Sequence, residues 1–268
     1  MLAALQSRPL RLATAVVCGI AIGCLGGLIG LGGAEFRLPL LIGLFGFAAL
    51  SAVILNKAMS LVVVCAALLF RTKAIPFEHT LQHWPIILNL LAGSLLGAWL
   101  GAGWALRMRS QTLYRVLAGL LVAIALVLLF AHGGDGSQQP LFTGALQLVA
   151  GVLAGLGIGI VASLMGVAGG EFIIPTLVLL FGTDLKLAGS LSLAISLPTM
   201  LVGFARYSRD GSFGVLRDQL DFVLAMAAGS LLGAALGGQL LGLISEGVLL
   251  PLLAAILLIS SVKVWRHQ

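Results

Sequence analysis

The sequence predicts an all-α polytopic membrane protein made of two repeated halves, with eight to ten transmembrane helices and a broken or re-entrant helix in each half. Composition is the first observation behind this prediction: 60% of the 268 residues are hydrophobic, 9% are charged, and the mean hydropathy is +1.16. A soluble domain has about 25% charged residues, so this chain could not cover a water-facing surface. Long uncharged runs and an internal repeat are the second and third observations.

The repeat has a fixed offset of 136 positions. Residues 28–46 (LIGLGGAEFRLPLLIGLFG) match residues 164–182 (LMGVAGGEFIIPTLVLLFG) at ten of 19 positions, and residues 92–101 match residues 228–237 at nine of ten. Both alignments have the same offset, so no insertion or deletion is needed between them. We therefore predict a first membrane repeat at 1–132, a linker loop at 133–140 and a second membrane repeat at 141–268.

Seven uncharged runs of at least 19 residues supply the membrane helices. About 20 apolar residues cross a bilayer as a helix, and these runs lack the alternation of barrel strands. The predicted segments are 12–34, 36–50, 52–70, 84–106 and 113–131 in the first half, and 141–168, 172–183, 187–205, 222–243 and 247–263 in the second.

The first run reads as a retained span, because it is too long for the apolar region of a signal peptide. The connections leave no room for a catalytic or nucleic-acid-binding domain. We therefore expect a protein of the lipid bilayer that is not an enzyme and has no nucleic-acid partner. The three cysteines lack metal-ligand spacing, and the sequence suggests no metal or cofactor.

Two topologies remain open, because segment 36–50 and its counterpart either cross the membrane or return. Five crossings per half give inverted repeats, with eleven Lys and Arg residues inside and three outside when both termini are inside. Four crossings give parallel repeats and place the basic loop 107–115 outside. The positive-inside rule favours inversion, which is common in secondary transporters.

Glycine-rich elements at 30–39 (GLGGAEFRLP) and 166–175 (GVAGGEFIIP) indicate a helix break in each half. Each glycine weakens a helix by about 1 kcal/mol relative to alanine, and a proline is tolerated in a first turn. A new helix should therefore begin near Glu35 and near Glu171. Free N–H groups at a helix start bind anions, so two converging starts would form one central site for a small anion.

The repeated glutamate predicts proton coupling by Glu35 and Glu171. A carboxylate at membrane depth costs about 2.5–3.5 kcal/mol, so its presence in both halves suggests a role. One alternative is that each glutamate caps its own helix. Another is that the glycines serve only helix packing.

The candidate anion-binding residues belong to the two breaks and to the polar residues that follow them. They are Gly30, Gly32, Gly33, Glu35, Pro39, Asn56, Lys57, Gly166, Gly169, Gly170, Glu171, Pro175 and Ser192. Lys57 is either a counter-charge for the anion or a side chain that snorkels to the cytoplasmic interface. Arg37 is matched by Ile173 and therefore cannot belong to a symmetric site, although it could supply charge on one side.

Glycines recur at every fourth position in two later segments. This pattern predicts close helix packing. The glycines are Gly93, Gly97 and Gly101 in the first half and Gly229, Gly233 and Gly237 in the second.

The motifs LGGAEFRLPLL and VAGGEFIIPTL, with AGSLLGAWLGA and AGSLLGAALGG, resemble the TauE/SafE sulfite-exporter family of membrane permeases, also called TSUP. The resemblance implies a multi-pass permease of the bacterial inner (plasma) membrane, with about eight spans, that moves sulfite, sulfonates or related organosulfur anions. Ala34 and Ala168 stand where that family commonly has a further glycine, and Asn56-Lys57 replaces a Thr-Ser pair. These departures touch the predicted site, so the solute is not carried over.

The function predicted from the sequence is secondary transport of a small anionic solute, most naturally a sulfur-containing one, with proton coupling. Both termini are expected in the cytoplasm, and a homo-oligomer is compatible with the sequence. The alternative is a non-transporting membrane scaffold or assembly factor, in which the glycines would only pack helices.

Overall fold

The computed structural model describes residues 7–29, 33–71, 77–130, 140–209, 213–239 and 246–266. Within these ranges the chain forms helices and no strand. The helices are α1 (Arg8–Ile29), α2 (Ala34–Gly43), α3 (Ala49–Arg71), α4 (Phe77–Gln82), α5 (Trp84–Arg107), α6 (Ser110–Phe130), α7 (Gly144–Met165), α8 (Gly170–Phe181), α9 (Leu185–Ser208), α10 (Gly214–Asp218), α11 (Leu220–Gln239) and α12 (Glu246–Trp265).

Over the described residues, six helices are long and apolar enough to cross a bilayer, namely α1, α3, α5, α7, α9 and α11. Helices α6 and α12 have 21 and 20 residues. In contrast, α2 has 10 residues and α8 has 12. At 1.5 Å per residue they measure about 15 and 18 Å, well short of the ~30 Å hydrocarbon core. The prediction of a helical membrane protein is therefore confirmed.

Equivalent helices begin 136 residues apart, as α1 and α7 or α3 and α9 do, except that the short helices α4 and α10 begin 137 residues apart. The short segment 36–50 was predicted too far along the chain: α2 begins at Ala34 and ends at Gly43, and α3 already begins at Ala49. Gly33 is the N-cap of α2, so the helix begins at the next residue, Ala34, without further irregular residues.

Two glycine seams join the halves. Gly93 and Gly97 of α5 lie against the α7 backbone at Val152 and Leu156, where a side chain would collide with a carbonyl group. In the same way the glycines of α11 lie against α1. The predicted role of both stripes in close packing is confirmed, and each seam pairs the third long helix of one half with the first helix of the other.

Contacts along the helices fix their directions. Lys57 of α3 lies beside Gly203 and Tyr207 near the end of α9, whereas Val64, two turns later in α3, packs with Met200, earlier in α9. Helices α3 and α9 therefore run in opposite directions. The two helices occupy equivalent positions in the two halves, at the 136-residue offset.

Helix α8 folds back along α7. Gln147 Nε2 near the start of α7 donates to the Leu180 carbonyl at 2.7 Å, and the Leu141 amide donates to the Leu179 carbonyl at 3.0 Å. The end of α8 thus lies beside the start of α7. The chain therefore reverses its direction at the break between α7 and α8, as expected of a broken helix.

Candidate functional site

A left-handed glycine precedes each short helix. Gly33 has φ 70° and Gly169 has φ 83°, a conformation that glycine adopts without steric cost. There is little room for a side chain at either position, because a Cβ on Gly33 would collide with Ile22 and one on Gly169 would lie 3.2 Å from Ala162 and Ile158. These two glycines therefore turn the chain back at each break. The predicted residues Gly30 and Gly32 lie outside the described ranges.

Gly166 joins the second break to the first half. It ends α7 with φ 68°, and its backbone lies directly on α3 at Val53 and Lys57. Any side chain there would collide with the Val53 carbonyl group. The second break is therefore packed against a helix of the first repeat. Gly170 is buried as the first residue of α8.

Pro39 and Pro175 lie deeper in their helices than predicted. Each is the sixth helical residue, beyond the first turn, because the preceding glycine starts the helix at once. Proline has no N–H to donate to the carbonyl four residues earlier. Those carbonyl groups belong to Glu35 and Glu171, so both glutamates lose a regular backbone partner as well.

The carboxyl groups of Glu35 and Glu171 lie close enough to interact. Each glutamate is in the first turn of its short helix, and their exposed fractions are only 1% and 3%. None of the four carboxylate oxygens has a hydrogen-bond partner among the described residues. Two facing carboxylates repel each other, and a single shared proton would replace that repulsion by an O–H···O hydrogen bond.

Arg37 is the largest fully buried side chain, with no exposed area. Its Nη1 donates to Asn56 Oδ1 at 3.3 Å and to Ser60 Oγ at 3.2 Å, and its Nη2 donates to Ser230 Oγ at 3.2 Å. The guanidinium is near enough to Glu35 to attract it, without a described ion pair. Arg37 thus links α2 to α3 and α11 through neutral partners.

Asn56 joins both breaks to α3. Its Nδ2 donates to the Ala34 carbonyl at the start of α2, at 3.0 Å, and to the Met165 carbonyl at the end of α7, at 3.2 Å. The predicted place of Asn56 beside the breaks is therefore what the structure shows.

Lys57 does not snorkel to an interface, and that interpretation was wrong. It lies within α3 and is only 1% exposed, because the Gly166 and Gly203 backbones leave room for it in the interior. Its Nζ donates to Ser163 Oγ at 3.3 Å and lies 5.9 Å from the centre of the Tyr207 ring. No described carboxylate forms an ion pair with it.

The structure therefore gathers the two glutamates, Asn56 and Lys57 around the breaks. Ser192 is buried on α9, and no described hydrogen bond connects it to them. The sequence prediction missed three contributors to this region, namely Ser163, Tyr207 and Ser230, and it named Arg37 only as a possible charge on one side. Ser230 had one available signal, since it is the polar residue inside an otherwise small and apolar glycine stripe.

These observations describe a multi-pass helical membrane protein in which two short helices meet in a buried, charged interior. The model of the family described as Sulfite exporter TauE/SafE matches residues 6–264, so the chain belongs to that family. Its members are membrane transporters rather than enzymes. No curated protein and no solved structure matches the chain.

Proposed function

We propose that this protein is a secondary transporter of a small anion, most naturally a sulfur oxyanion or an organosulfonate, and that protons drive or accompany the movement. One observation carries the proposal: Glu35 and Glu171 meet inside the protein without a described hydrogen-bond donor. Membership of the sulfite-exporter family supports the class of solute.

Lys57 supplies the charge for the anion in this proposal. Its amino group is buried, has a hydroxyl and an aromatic ring as its described partners, and is positively charged when protonated. An unpaired charge in a membrane interior is expensive and generally functional. Arg37, in contrast, is held by three polar side chains and lies near Glu35, so its charge is already partly compensated.

The proposed orientation places both termini in the cytoplasm of a bacterial cell, within the inner membrane. With Lys57 buried, ten of the eleven basic residues assigned to that side remain. Arg11 lies over the rings of Phe47 and Phe222, and Arg115 lies over the ring of Trp265. The positive-inside rule favours the cytoplasmic side for these basic residues.

The coupling is tested with purified protein in proteoliposomes under an imposed pH gradient. Sulfite, sulfoacetate, thiosulfate and acetate are supplied separately, and solute flux is measured. Wild type and Glu78→Gln, which changes an exposed glutamate, should show gradient-dependent flux. Glu35→Gln and Glu171→Gln should each lose that dependence. If both retain it at every pH, the carboxyl pair has no coupling role.

Lys57 is tested in the same vesicles. Lys57→Gln should lower flux at least about tenfold, which corresponds to about 1.4 kcal/mol, and Lys57→Arg should retain part of it. The scaffold alternative predicts no flux with any of the four solutes. It also predicts that a cysteine introduced at Ala168 stays unreactive towards soluble thiol reagents from either side.

A further inference from the structure

One face of α9 is lined by small and hydroxyl-bearing residues. Positions spaced three or four residues apart in a helix share a face. We call this the hydroxyl face, and all of its side chains are buried. Its residues are Ser192, Ser196, Thr199, Gly203 and Tyr207.

Ser196 lacks the usual partner of a hydroxyl in a membrane helix. Serine and threonine in helices commonly donate to the carbonyl four residues earlier, as Thr199 does to Ile195 at 2.8 Å. Ser196 is 1% exposed, and its Oγ has no described hydrogen-bond partner. Buried polar groups are almost always paired, so this hydroxyl is available to a ligand.

The hydroxyl face ends at Lys57. A Cβ on Gly203 would lie 2.7 Å from Lys57 Nζ and 2.6 Å from Ser163 Oγ, so the glycine is what admits the ammonium group. Halfway along the face, Ser94 of α5 adds another hydroxyl, 2.7 Å from Thr199 Oγ1. A series of neutral hydroxyls therefore leads to one buried cation.

The equivalent face of α3 is closed. At the 136-residue offset, Asn56 and Ser60 correspond to Ser192 and Ser196, but both are hydrogen-bonded to Arg37. Beyond them the hydroxyl of Thr199 is replaced by the buried hydrocarbon side chain of Val63. The first half thus uses its polar positions to hold an arginine.

We propose that the transported anion passes along the hydroxyl face of α9 to Lys57, and that α3 provides no second route. This inference rests on the proposed transport of a small anion. Hydroxyl groups donate to an oxyanion but carry no charge, so each holds it weakly enough to release it. Lys57 then provides the single strong attraction and the preference for negative charge.

The test labels single cysteines in proteoliposomes. Cys18, Cys24 and Cys65 are first replaced by serine, and cysteine is then introduced at Ser192, Ser196 or Thr199. Matched controls are Ser60→Cys on the equivalent face of α3 and Leu197→Cys on another face of α9. The probes are 2-sulfonatoethyl methanethiosulfonate, which is an anionic sulfonate, and its cationic trimethylammonium analogue, each normalised to its rate with a free thiol.

Ser196→Cys should react with the anionic probe at least about tenfold faster than either control and faster than with the cationic probe. Adding Lys57→Gln should remove the preference for the anion without removing the reaction. Equal reactivity of Ser196→Cys and Leu197→Cys would overturn the route along α9. Equal reactivity of Ser60→Cys and Ser196→Cys would overturn its restriction to one half.

Flux measured in the same vesicles separates this inference from the proposed function. If the cysteine-free protein moves none of the four anions, the proposed function fails. If it moves one of them while Ser196→Cys stays unreactive, only the route along α9 fails. Ser196→Ala gives a second measurement that needs no labelling, and it should lower the flux at least about threefold. Ser60→Ala should lower the flux less than Ser196→Ala does.

Discussion

The two short helices carry the same glycine, glutamate and proline, yet they differ two residues after the glutamate. In α2 that residue is Arg37, which binds polar groups of α3 and α11. In α8 it is Ile173, which packs with Leu177 and Ile195 in an apolar cluster. The comparison shows that the repeated residues form the breaks, whereas the unrepeated ones determine whether the interior beside each short helix is charged or apolar.

Of the three polar positions around Arg37, only one changes its residue type in the other half. Asn56, Ser60 and Ser230 surround Arg37, and the residues at the matching positions are Ser192, Ser196 and Ser94. An arginine at membrane depth costs about 2.5–3.5 kcal/mol when isolated. The first half offsets that cost with hydrogen bonds, while the second avoids it with a hydrocarbon side chain.

The largest effect is expected when the second half is given the cation of the first. Ile173→Arg would place a guanidinium between Leu90, Leu177 and Ile195. We expect a loss of about 3 kcal/mol or more in the free energy of unfolding, measured by chemical denaturation in mild detergent. Ile173→Leu is the control. A variant as stable as wild type would mean that the three serines accept the guanidinium.

The reverse substitution should have a smaller effect. Arg37→Ile removes hydrogen bonds to a charged group, each worth about 1.5–3 kcal/mol, but it also relieves the burial of that charge. A net loss of about 1–3 kcal/mol in unfolding free energy follows. Ser230→Ala should destabilise the wild type and have no further effect in Arg37→Ile. Additive losses would show that the two side chains are not energetically coupled.

The sequence predicted the helical membrane class, the two breaks and the glycine seams, because each depends on a local pattern that repeats. The predicted position of the prolines in the first turn was wrong, because each short helix begins directly after its left-handed glycine. The burial of Lys57 could not be predicted from the sequence either. Its burial depends on backbone space at Gly166 and Gly203, which lie in other segments.

The candidate site was predictable only where the two halves agree. Equal positions of Glu35 and Glu171 pointed to a common centre, and the structure brings them together. Arg37 has no counterpart and was therefore left out of the symmetric site, although its guanidinium forms three hydrogen bonds to buried side chains. Comparing the two halves identifies the residues that they have in common, but it overlooks residues such as Arg37 that occur in one half alone.

The glycine seams should respond equally in both halves. Gly97→Ala would bring a Cβ onto the Leu156 carbonyl, and Gly233→Ala would bring one onto the Ile20 carbonyl. Overpacking of this kind costs about 1–3 kcal/mol, and we expect similar losses from both variants by thermal unfolding in detergent. Gly157→Ala is the control on α7, because no atom lies within 4 Å of its added Cβ. Unequal losses would mean that one seam relaxes and the other does not.

The smallest effect is expected at the exposed ion pair between Arg8 and Asp221. Its atoms Nη2 and Oδ2 are 2.6 Å apart, and the Arg8 side chain is 81% exposed. The residues at the matching positions are Gly144 and Pro85, so this pair is also unique to one side. Exposed pairs are weakened by water and salt, and Arg8→Ala or Asp221→Ala should leave the unfolding midpoint unchanged at high and low salt. A clear loss of stability at low salt alone would show that this exposed pair, which only one half has, also stabilises the fold. No change would mean that the difference in stability between the halves comes from buried residues such as Arg37.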